Sequence, residues 1–385
     1  MKRKLFFILV GIAIVLKLAL FAFAMTHAPE SIYSPDSDAY ITLGDTLYSK
    51  GAFALPQPDG SLSANVYRTP GYPLFLAVLH HFFKIPYAGV VLVQLVFSIL
   101  AAFITYKTAC EIDAKIAPLA ALIILFDLSV TVWSMKVLTE SLYLLLISVY
   151  LFWIVRYLKK GELKPMLFAG LFLAAATFVR PVSYYLGFVT ALFILFANRG
   201  KKLTVSFAPI LALCAITYIL LGAWQIRNYG HYQTVSFATN VDANFESAGL
   251  FSVCLKKGNS ALMTAGHCAY DGASSFVRIL IKPGNLKYYK SPALHAVGKI
   301  AGLPIMIFLL SGFFWGCFKM CGDIGYQFML IVFLYFSAAA VLNLAGLVGD
   351  RFRVPAMPCI AIVSAFGWQC LLSRIKSSNG SFGGK

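Results

Sequence analysis

The amino-acid sequence predicts an all-α polytopic membrane protein with about ten transmembrane helices. Composition is the first reason: 60% of the 385 residues are hydrophobic, the mean hydropathy is +0.79, and only 12% are charged. The second reason is that long apolar stretches recur along the chain, and about twenty such residues cross a bilayer once. These values exclude a soluble globular protein and a disordered one, because neither combines so much apolar surface with so little charge.

The net charge of +17 fits the same class. Lys and Arg gather at the cytoplasmic ends of membrane spans and beside anionic lipid head groups. We expect no nucleic-acid partner, because the sequence has no compact basic region interleaved with aromatic residues. Residues 1–385 are interpreted as a single transmembrane domain.

The first predicted span runs from Leu5 to Met25 and follows three basic residues, Lys2, Arg3 and Lys4. These charges predict that the N-terminus is cytoplasmic. The same stretch also fits a cleavable signal peptide, but its length favours an uncleaved anchor.

Nine further spans follow by alternation, and every predicted inner loop carries at least one Lys or Arg, which also predicts a cytoplasmic C-terminus. The spans are Ala88–Tyr106, Ile116–Val132, one ending at 156–160, one from Met166 to Arg180, one ending at 198–202, Leu203–Ala223, one ending at Lys319, one reaching Val348, and one ending at 374–376. Two larger outer segments separate them, Thr26–Tyr87 and Trp224–Lys299. The stretch GYPLFLAVLHHFF in the first segment is too short to cross, so we expect it at the membrane interface.

Charged side chains collect on the predicted outer side, where they indicate a functional site at the water–lipid boundary. Arginine holds a phosphate through paired donors, and a carboxylate accepts a proton from an attacking group, so this set suits a phosphorylated lipid substrate. The alternative is that each arginine only anchors a helix end at the interface. The set comprises Asp36, Asp38, Arg68, Lys136, Glu140, Arg180, Arg227, Asp350, Arg351 and Arg353.

The segments that carry these residues resemble GT-C integral membrane glycosyltransferases, especially the protein O-mannosyltransferases and the lipid A aminoarabinose transferases. SPDSDAYITLGDTLYSKGAF followed by YRTPGYPLFLA resembles the first outer loop of that superfamily. There an Asp lies four residues before an aromatic that opens a helix, which places Asp36 before Tyr40. The family often has Glu directly after the Asp; this chain has Ser37, and Asp38 is the neighbouring acid.

Later segments extend the resemblance from Ser34 to Pro358. RTPGYP supplies Arg68 and Tyr72, VLTESLYLL supplies Glu140 as the second acid, and FVRPVSYY, WQIRNYG and GDRFRVPAMP supply further basic residues. The resemblance implies catalytic roles for Asp36, Glu140 and Asp38. It implies substrate or phosphate binding by Arg68, Tyr72, Lys136, Arg180, Arg227, Arg351 and Arg353.

The resemblance also implies the activity: transfer of a sugar from a polyprenyl-phosphate carrier to a glycan, glycolipid or protein acceptor, with inversion. Such an enzyme would be a multi-pass protein of the bacterial inner membrane, surrounded by membrane lipids. No cofactor or metal is expected, because Tyr67 occupies the position of a metal-ligating acid in some relatives. The alternative function is a non-catalytic flippase or transporter of lipid-linked sugars.

Three residue assignments have open alternatives. Asp36 follows Ser34 and Pro35 and would also suit the start of a helix as its cap. Glu140 would also suit an ordinary charge at a span end, and Lys136 would also suit contact with a lipid head group. Separately, Cys254 and Cys268 share the second outer segment and are expected to pair if that side is oxidising.

Overall fold

A computed structural model of the protein describes residues 2–200, 203–240, 243, 246, 249–257, 261–282, 284, 286, 291–319, 322–344 and 349–382. The described residues are overwhelmingly helical, with one small hairpin. The first half contains helices α1 (Arg3–His27), α2 (Pro35–Lys50), α3 (Gly71–Leu76), α4 (Tyr87–Ile112), α5 (Ala117–Phe126), α6 (Leu128–Ser134), α7 (Glu140–Lys160), α8 (Lys164–Val179) and α9 (Leu186–Ala197). The second half contains α10 (Leu203–Tyr232), α11 (Leu250–Lys257), α12 (Ala261–Ile281), α13 (Pro292–Lys319), α14 (Ile324–Leu344) and α15 (Met357–Phe382).

Short elements connect these helices. Strands β1 (Ala54–Pro56) and β2 (Leu62–Ala64) form an antiparallel hairpin. A π-helical turn, Ala77–Phe82, continues α3, and 3₁₀ turns cover Pro29–Ile32, Pro181–Ser183 and Asp350–Ala356.

The protein is a multi-pass integral membrane protein. Seven of its described helices are long and apolar enough to cross a membrane, and the pair α5–α6, bent by 54°, would make an eighth. Helices also lie at the other two predicted spans, but Lys164–Val179 and Pro181–Ala197 are shorter than the usual spanning length of about twenty residues. The count of ten crossings therefore stays a prediction.

The helices surround one extensive apolar core. α4 packs against α7, α7 against α8, and α8 against α10, while α13 packs along α15. Glycine permits the closest approach: a Cβ on Gly367 of α15 would lie 1.9 Å from the carbonyl oxygen of Gly312 in α13. Small residues at such crossings let two helix backbones come together in a membrane protein.

The first predicted outer segment contains α2, the hairpin, α3 and the π-helical turn. The stretch expected at the interface ends in exposed aromatic rings, with Phe82 70% and Phe83 59% exposed. The second predicted segment is described only in part, because 241–242, 244–245, 247–248, 258–260, 283, 285 and 287–290 lie outside the described residues. Cys254 and Cys268 lie on α11 and α12 and are not joined by a disulfide, so the expected pairing is absent here.

Charged residues of the predicted inner loops meet one another at one end of the helices. Arg156 near the end of α7 pairs with Glu111 near the end of α4, at 3.1 Å. Lys159 pairs with Asp323, which precedes α14. This clustering agrees with the alternation predicted from the sequence.

Candidate active site

Asp36 lies in the first turn of α2, but it does not cap that helix. The cap position belongs to Ser34, whose backbone N–H donates to Ser37 Oγ at 2.9 Å. Ser37 Oγ in turn donates to the carbonyl of Val137 at 2.9 Å, which ties α2 to the turn before α7. The Asp36 carboxylate therefore remains available for other partners, and the capping alternative is wrong.

Five charged side chains from five separate segments meet in a network, which we call the acid–arginine network: Asp36, Arg68, Glu140, Arg180 and Arg351. Asp36 and Glu140 lie at the starts of α2 and α7. Arg68 precedes α3, Arg180 follows α8, and Arg351 lies in the turn before α15. All five are among the site residues predicted from the sequence, and the fold brings them together.

Arg351 joins the two acids of the network. Its Nη1 donates to Asp36 Oδ2 at 3.0 Å, and its Nε donates to Glu140 Oε1. The other oxygen of Asp36, Oδ1, accepts from Arg68 Nη2 at 2.7 Å. Arg180 Nη1 donates to Glu140 Oε1 at 3.0 Å. Each acid is therefore held by two arginines, and Arg351 is shared.

The two acids differ in their surroundings. The Glu140 side chain is fully buried, whereas that of Asp36 is 33% exposed. Both lie at helix N-termini, where the helix dipole favours a negative charge. Burial raises the pKa of the Asp36 carboxyl, but Arg351 and Arg68 lower that pKa by more, so it lies below its ordinary value. Asp36 is therefore an ionised carboxylate that is partly open to a ligand.

Aromatic rings flank all three arginines. Arg68 lies 4.9 Å from the centre of the Tyr40 ring and also donates to the Tyr40 hydroxyl at 3.2 Å. Arg180 lies over Tyr143, and Arg351 lies 5.5 Å from the ring centre of Trp133. Such rings hold a guanidinium in place without consuming its N–H donors.

Trp133, near the end of α6, was not predicted from the sequence as a site residue. Its Nε1 donates to Asp350 at 2.9 Å, so it fixes the turn that carries Arg351. A tryptophan at a span end is usually an interfacial anchor. The residue type therefore gave no reason to expect a contact with the site.

Tyr72 does not reach the acid–arginine network. It is fully buried, and its hydroxyl donates to Gln94 at 2.6 Å. Its ring packs edge-on against Tyr40, at 5.2 Å between ring centres. Tyr72 therefore supports the aromatic ring beneath Arg68, and the expected contact with phosphate does not fit its position.

Lys136 is also turned into the protein. Its Nζ donates to the carbonyl of Ser31, and burial lowers the pKa of the amine to about 8. The residue fastens the turn before α7 to the 3₁₀ turn before α2. Its placement among protein groups differs from the lipid head-group contact and the phosphate contact considered from the sequence.

Arg227 and Arg353 lie outside the network and use their donors on the protein. Arg227 donates to the carbonyls of Asn65 and Phe53, at 2.8 and 3.0 Å, and so holds the hairpin against α10. Arg353 is fully buried, donates to three carbonyls at the end of α12, and contacts Ser129 and Asp127. Both arginines direct their terminal nitrogens to protein acceptors outside the network, so the assignment to phosphate binding does not fit these contacts. The Arg353 Nε is buried and has no acceptor among the described residues.

Asp38, the third predicted catalytic acid, is exposed on α2 and lies outside the network. Lys17 and Asp127, which fall within the predicted spans Leu5–Met25 and Ile116–Val132, are both buried and hydrogen-bonded. Asp127 accepts from the backbone N–H of Val130 at 2.8 Å, and Lys17 donates to Thr131 at 2.7 Å. Both therefore stabilise α6, which carries Trp133.

Among the described residues, no group of three or more His, Cys, Asp or Glu side chains is arranged to hold a metal ion. The two acids of the network are each paired with arginines. The polar groups of the network are therefore guanidinium N–H donors and carboxylate oxygens.

Comparison with known proteins bears directly on this site. Residues 67–224 match the family model described as dolichyl-phosphate-mannose-protein mannosyltransferase, and this range contains three of the five network residues, Arg68, Glu140 and Arg180. The resemblance to GT-C glycosyltransferases is confirmed. Comparison with curated protein sequences gives no match.

The fold is similar to that of solved membrane glycosyltransferases over nearly the whole chain. The apo oligosaccharyltransferase of Archaeoglobus fulgidus matches with a TM-score of 0.58 and 11% identity, covering 98% of this chain and 52% of the other. ArnT from Cupriavidus metallidurans, solved with undecaprenyl phosphate, matches with a TM-score of 0.50 and 14% identity, covering 94% and 76%. The chain thus spans about half the length of the oligosaccharyltransferase it matches.

Proposed function

We propose that the protein transfers a sugar from a polyprenyl-phosphate carrier to an acceptor hydroxyl at the outer face of the membrane, with inversion at the anomeric carbon. The acid–arginine network carries this proposal. It combines a partly exposed carboxylate with three arginines at the end of a membrane helix bundle. The ArnT structure holds undecaprenyl phosphate, and a structure of AglB, the Archaeoglobus fulgidus oligosaccharyltransferase, holds a dolichol-phosphate, which supports a lipid-phosphate donor.

The charge of the network suits a carrier with a single phosphate. Three arginines and two carboxylates leave one excess positive charge, and a phosphodiester-linked sugar carries one negative charge. Arg68 and Arg351 lie on either side of Asp36 and donate to it, so two guanidinium groups lie beside the exposed acid. Guanidinium groups bind phosphate oxygens through strong, charge-assisted hydrogen bonds.

In the proposed reaction, the acceptor oxygen attacks the anomeric carbon, and the bond from that carbon to the phosphate oxygen breaks. The electron pair leaves with the carrier phosphate, which becomes a monoester and gains one negative charge. The acceptor proton passes to Asp36, which becomes neutral. The site therefore remains electrically balanced from donor complex to product complex, a condition that favours stabilisation of the developing charge.

Glu140 has a different role in this proposal. Because it is fully buried and paired with Arg180 and Arg351, it orients cations and has no exposed oxygen for a substrate. Asp36 is the acid whose position suits proton acceptance from the acceptor hydroxyl, within the hydrogen-bond reach that general-base catalysis requires.

Purified full-length protein supplied with a radiolabelled polyprenyl-phosphate sugar and envelope acceptors tests the function. We expect release of the carrier from the sugar by the wild-type protein and a loss of at least 100-fold for Asp36→Asn, the size typical of a lost general base. Asp38→Asn is the matched control on the same helix and is expected to react normally. An intact carrier with the wild-type protein would favour the flippase alternative.

A further inference from the structure

Asp36 is restrained in the unliganded network by the same two arginines that flank the proposed phosphate site. One carboxylate oxygen accepts from Arg68 at 2.7 Å, and the other accepts from Arg351 at 3.0 Å. These cations stabilise the ionised form of the acid and weaken its affinity for a proton. An acid in this state is a poor base for an acceptor hydroxyl.

The arginines have anchors that do not depend on Asp36. Arg351 is held by the buried carboxylate of Glu140 and by the ring of Trp133. Arg68 is held by the hydroxyl and the ring of Tyr40. The network can therefore exchange Asp36 for another anion without losing the position of either guanidinium.

Arg68 also has an unused donor. Its Nε is buried and has no hydrogen-bond acceptor among the described residues. A buried donor without a partner is destabilising, so an additional acceptor at this guanidinium would be favourable. A phosphate oxygen is an acceptor of the required charge.

We propose, building on the function above, that the carrier phosphate and Asp36 compete for Arg68 and Arg351, so that phosphate binding releases Asp36 to act as the base. Phosphate oxygens accept the hydrogen bonds that the carboxylate gives up. The released carboxylate then takes the proton of the acceptor hydroxyl as that oxygen attacks. The donor must consequently bind before the acceptor can be activated.

Competition predicts the direction in which the affinity for the carrier phosphate changes when Asp36 is neutralised. If Asp36 and the phosphate share the same cations, removal of the Asp36 charge strengthens phosphate binding. A residue that merely supports the arginines would have the opposite effect, because its loss would loosen the binding site. Carrier affinity therefore separates competition from support.

The test measures equilibrium binding of unglycosylated polyprenyl phosphate to the purified full-length protein in detergent. Asp36→Asn and Asp36→Ser are both expected to bind at least about fivefold more tightly than the wild type, at the lower end of typical coupling between sites. Asp59→Asn removes an exposed acid of the hairpin turn, which has no role in the site, and this control should bind as the wild type does. Melting temperatures of all variants are recorded in the same buffer.

Unchanged or weaker binding by the two neutral variants would overturn the competition. Failure of both variants to fold would overturn it as well, because competition requires a network that survives the release of Asp36. Neither outcome touches the proposed function, which depends on carrier cleavage by the wild-type protein. Conversely, an intact carrier in the transfer assay would reject the function whatever the binding data show.

Discussion

The two acidic residues of the network differ in burial, and this difference suits them to different roles. Glu140 is fully buried between two arginines, whereas a third of the Asp36 side chain is exposed. A buried ion pair adds little to stability relative to apolar packing. Removing one partner, however, leaves the other charge buried without a countercharge and destabilises the protein. The proposed reaction therefore assigns Glu140 the positioning of Arg180 and Arg351, and it assigns Asp36 the role of the reactive acid.

Glu140→Gln is expected to destabilise the protein by about 3–5 kcal/mol, because Arg180 and Arg351 lose their buried countercharge. Thermal melting in detergent measures this change, and carrier binding should weaken in parallel as the two arginines lose their anchor. Asp36→Asn is the control, with a smaller effect on melting. Equal melting temperatures for Glu140→Gln and the wild type would refute the positioning role.

We expect Lys136 to make the free energy of unfolding depend on pH. Burial lowers the pKa of its amine from the ordinary 10.5 to about 8. Between these values the unfolded chain binds more protons than the folded one, so this residue makes stability rise as the pH increases from 8 towards 10.5. Melting temperatures across that range should rise more for the wild type than for Lys136→Met, and parallel curves would contradict the assignment.

The sequence could place Asp36, Arg68 and Glu140 among the site residues, because they lie in segments that resemble a known superfamily. It could not separate Arg351 from Arg353, which lie two residues apart in the same GDRFRVP turn. In the structure the turn directs Arg351 to the acids and Arg353 to the carbonyls that end α12. That division depends on packing between distant helices, which a local pattern does not contain.

At the scale of elements, the network depends on the close approach of α3 to the end of α8. A Cβ on Gly71 would lie 2.7 Å from the carbonyl carbon and oxygen of Phe178 and 2.9 Å from the nitrogen of Val179. Thr69 also donates to the Val179 carbonyl, at 3.2 Å. These backbone contacts set the spacing between Arg68 on one side and Arg180 on the other.

Gly71→Ala is expected to push α3 away from α8, to cost about 1–3 kcal/mol, and to reduce transfer about tenfold or more through misplacement of Arg68. Melting and initial transfer rates measure the two effects. Gly222→Ala on α10 is the matched control, because a Cβ there meets nothing within 4 Å and alanine is the better helix former. Similar behaviour of the two variants would show that the close approach has no influence on the site.

At the scale of the whole molecule, the predicted order of apolar segments corresponds to helices throughout, but the number of crossings does not follow from length alone. The Arg180–Pro181 pair divides a long apolar stretch into the helices Lys164–Val179 and Pro181–Ala197, both short for a span. The bend of 54° between α5 and α6 likewise occurs at Asp127, which accepts from the N–H of Val130. Hydropathy cannot distinguish a short or bent span from a helix that does not cross, because all of them are equally apolar.

Contacts between distant parts of the chain predict that the two outer segments lie on the same side of the membrane. The backbone N–H of Thr239 donates to the carbonyl of Val66 at 3.0 Å, and Arg227 donates to Asn65. Arg353 holds the end of α12, while Arg351 in the same turn reaches Asp36. Both segments are therefore joined at the end of the bundle that carries the acid–arginine network, opposite the cluster of Arg156 and Glu111.

We expect Ser61→Cys and Ala273→Cys to react with a membrane-impermeant thiol reagent from the same, non-cytoplasmic side of intact cells. Both positions are exposed, and the eight native cysteines are replaced in the background used for labelling. Glu162→Cys, in the loop between α7 and α8 at the opposite end, is the matched control and should react only after the membrane is opened. Labelling of position 61 and position 273 from different sides would contradict the topology. It would also remove the basis for an acceptor that approaches Asp36 from outside, since the first segment carries Asp36 and is hydrogen-bonded to the second.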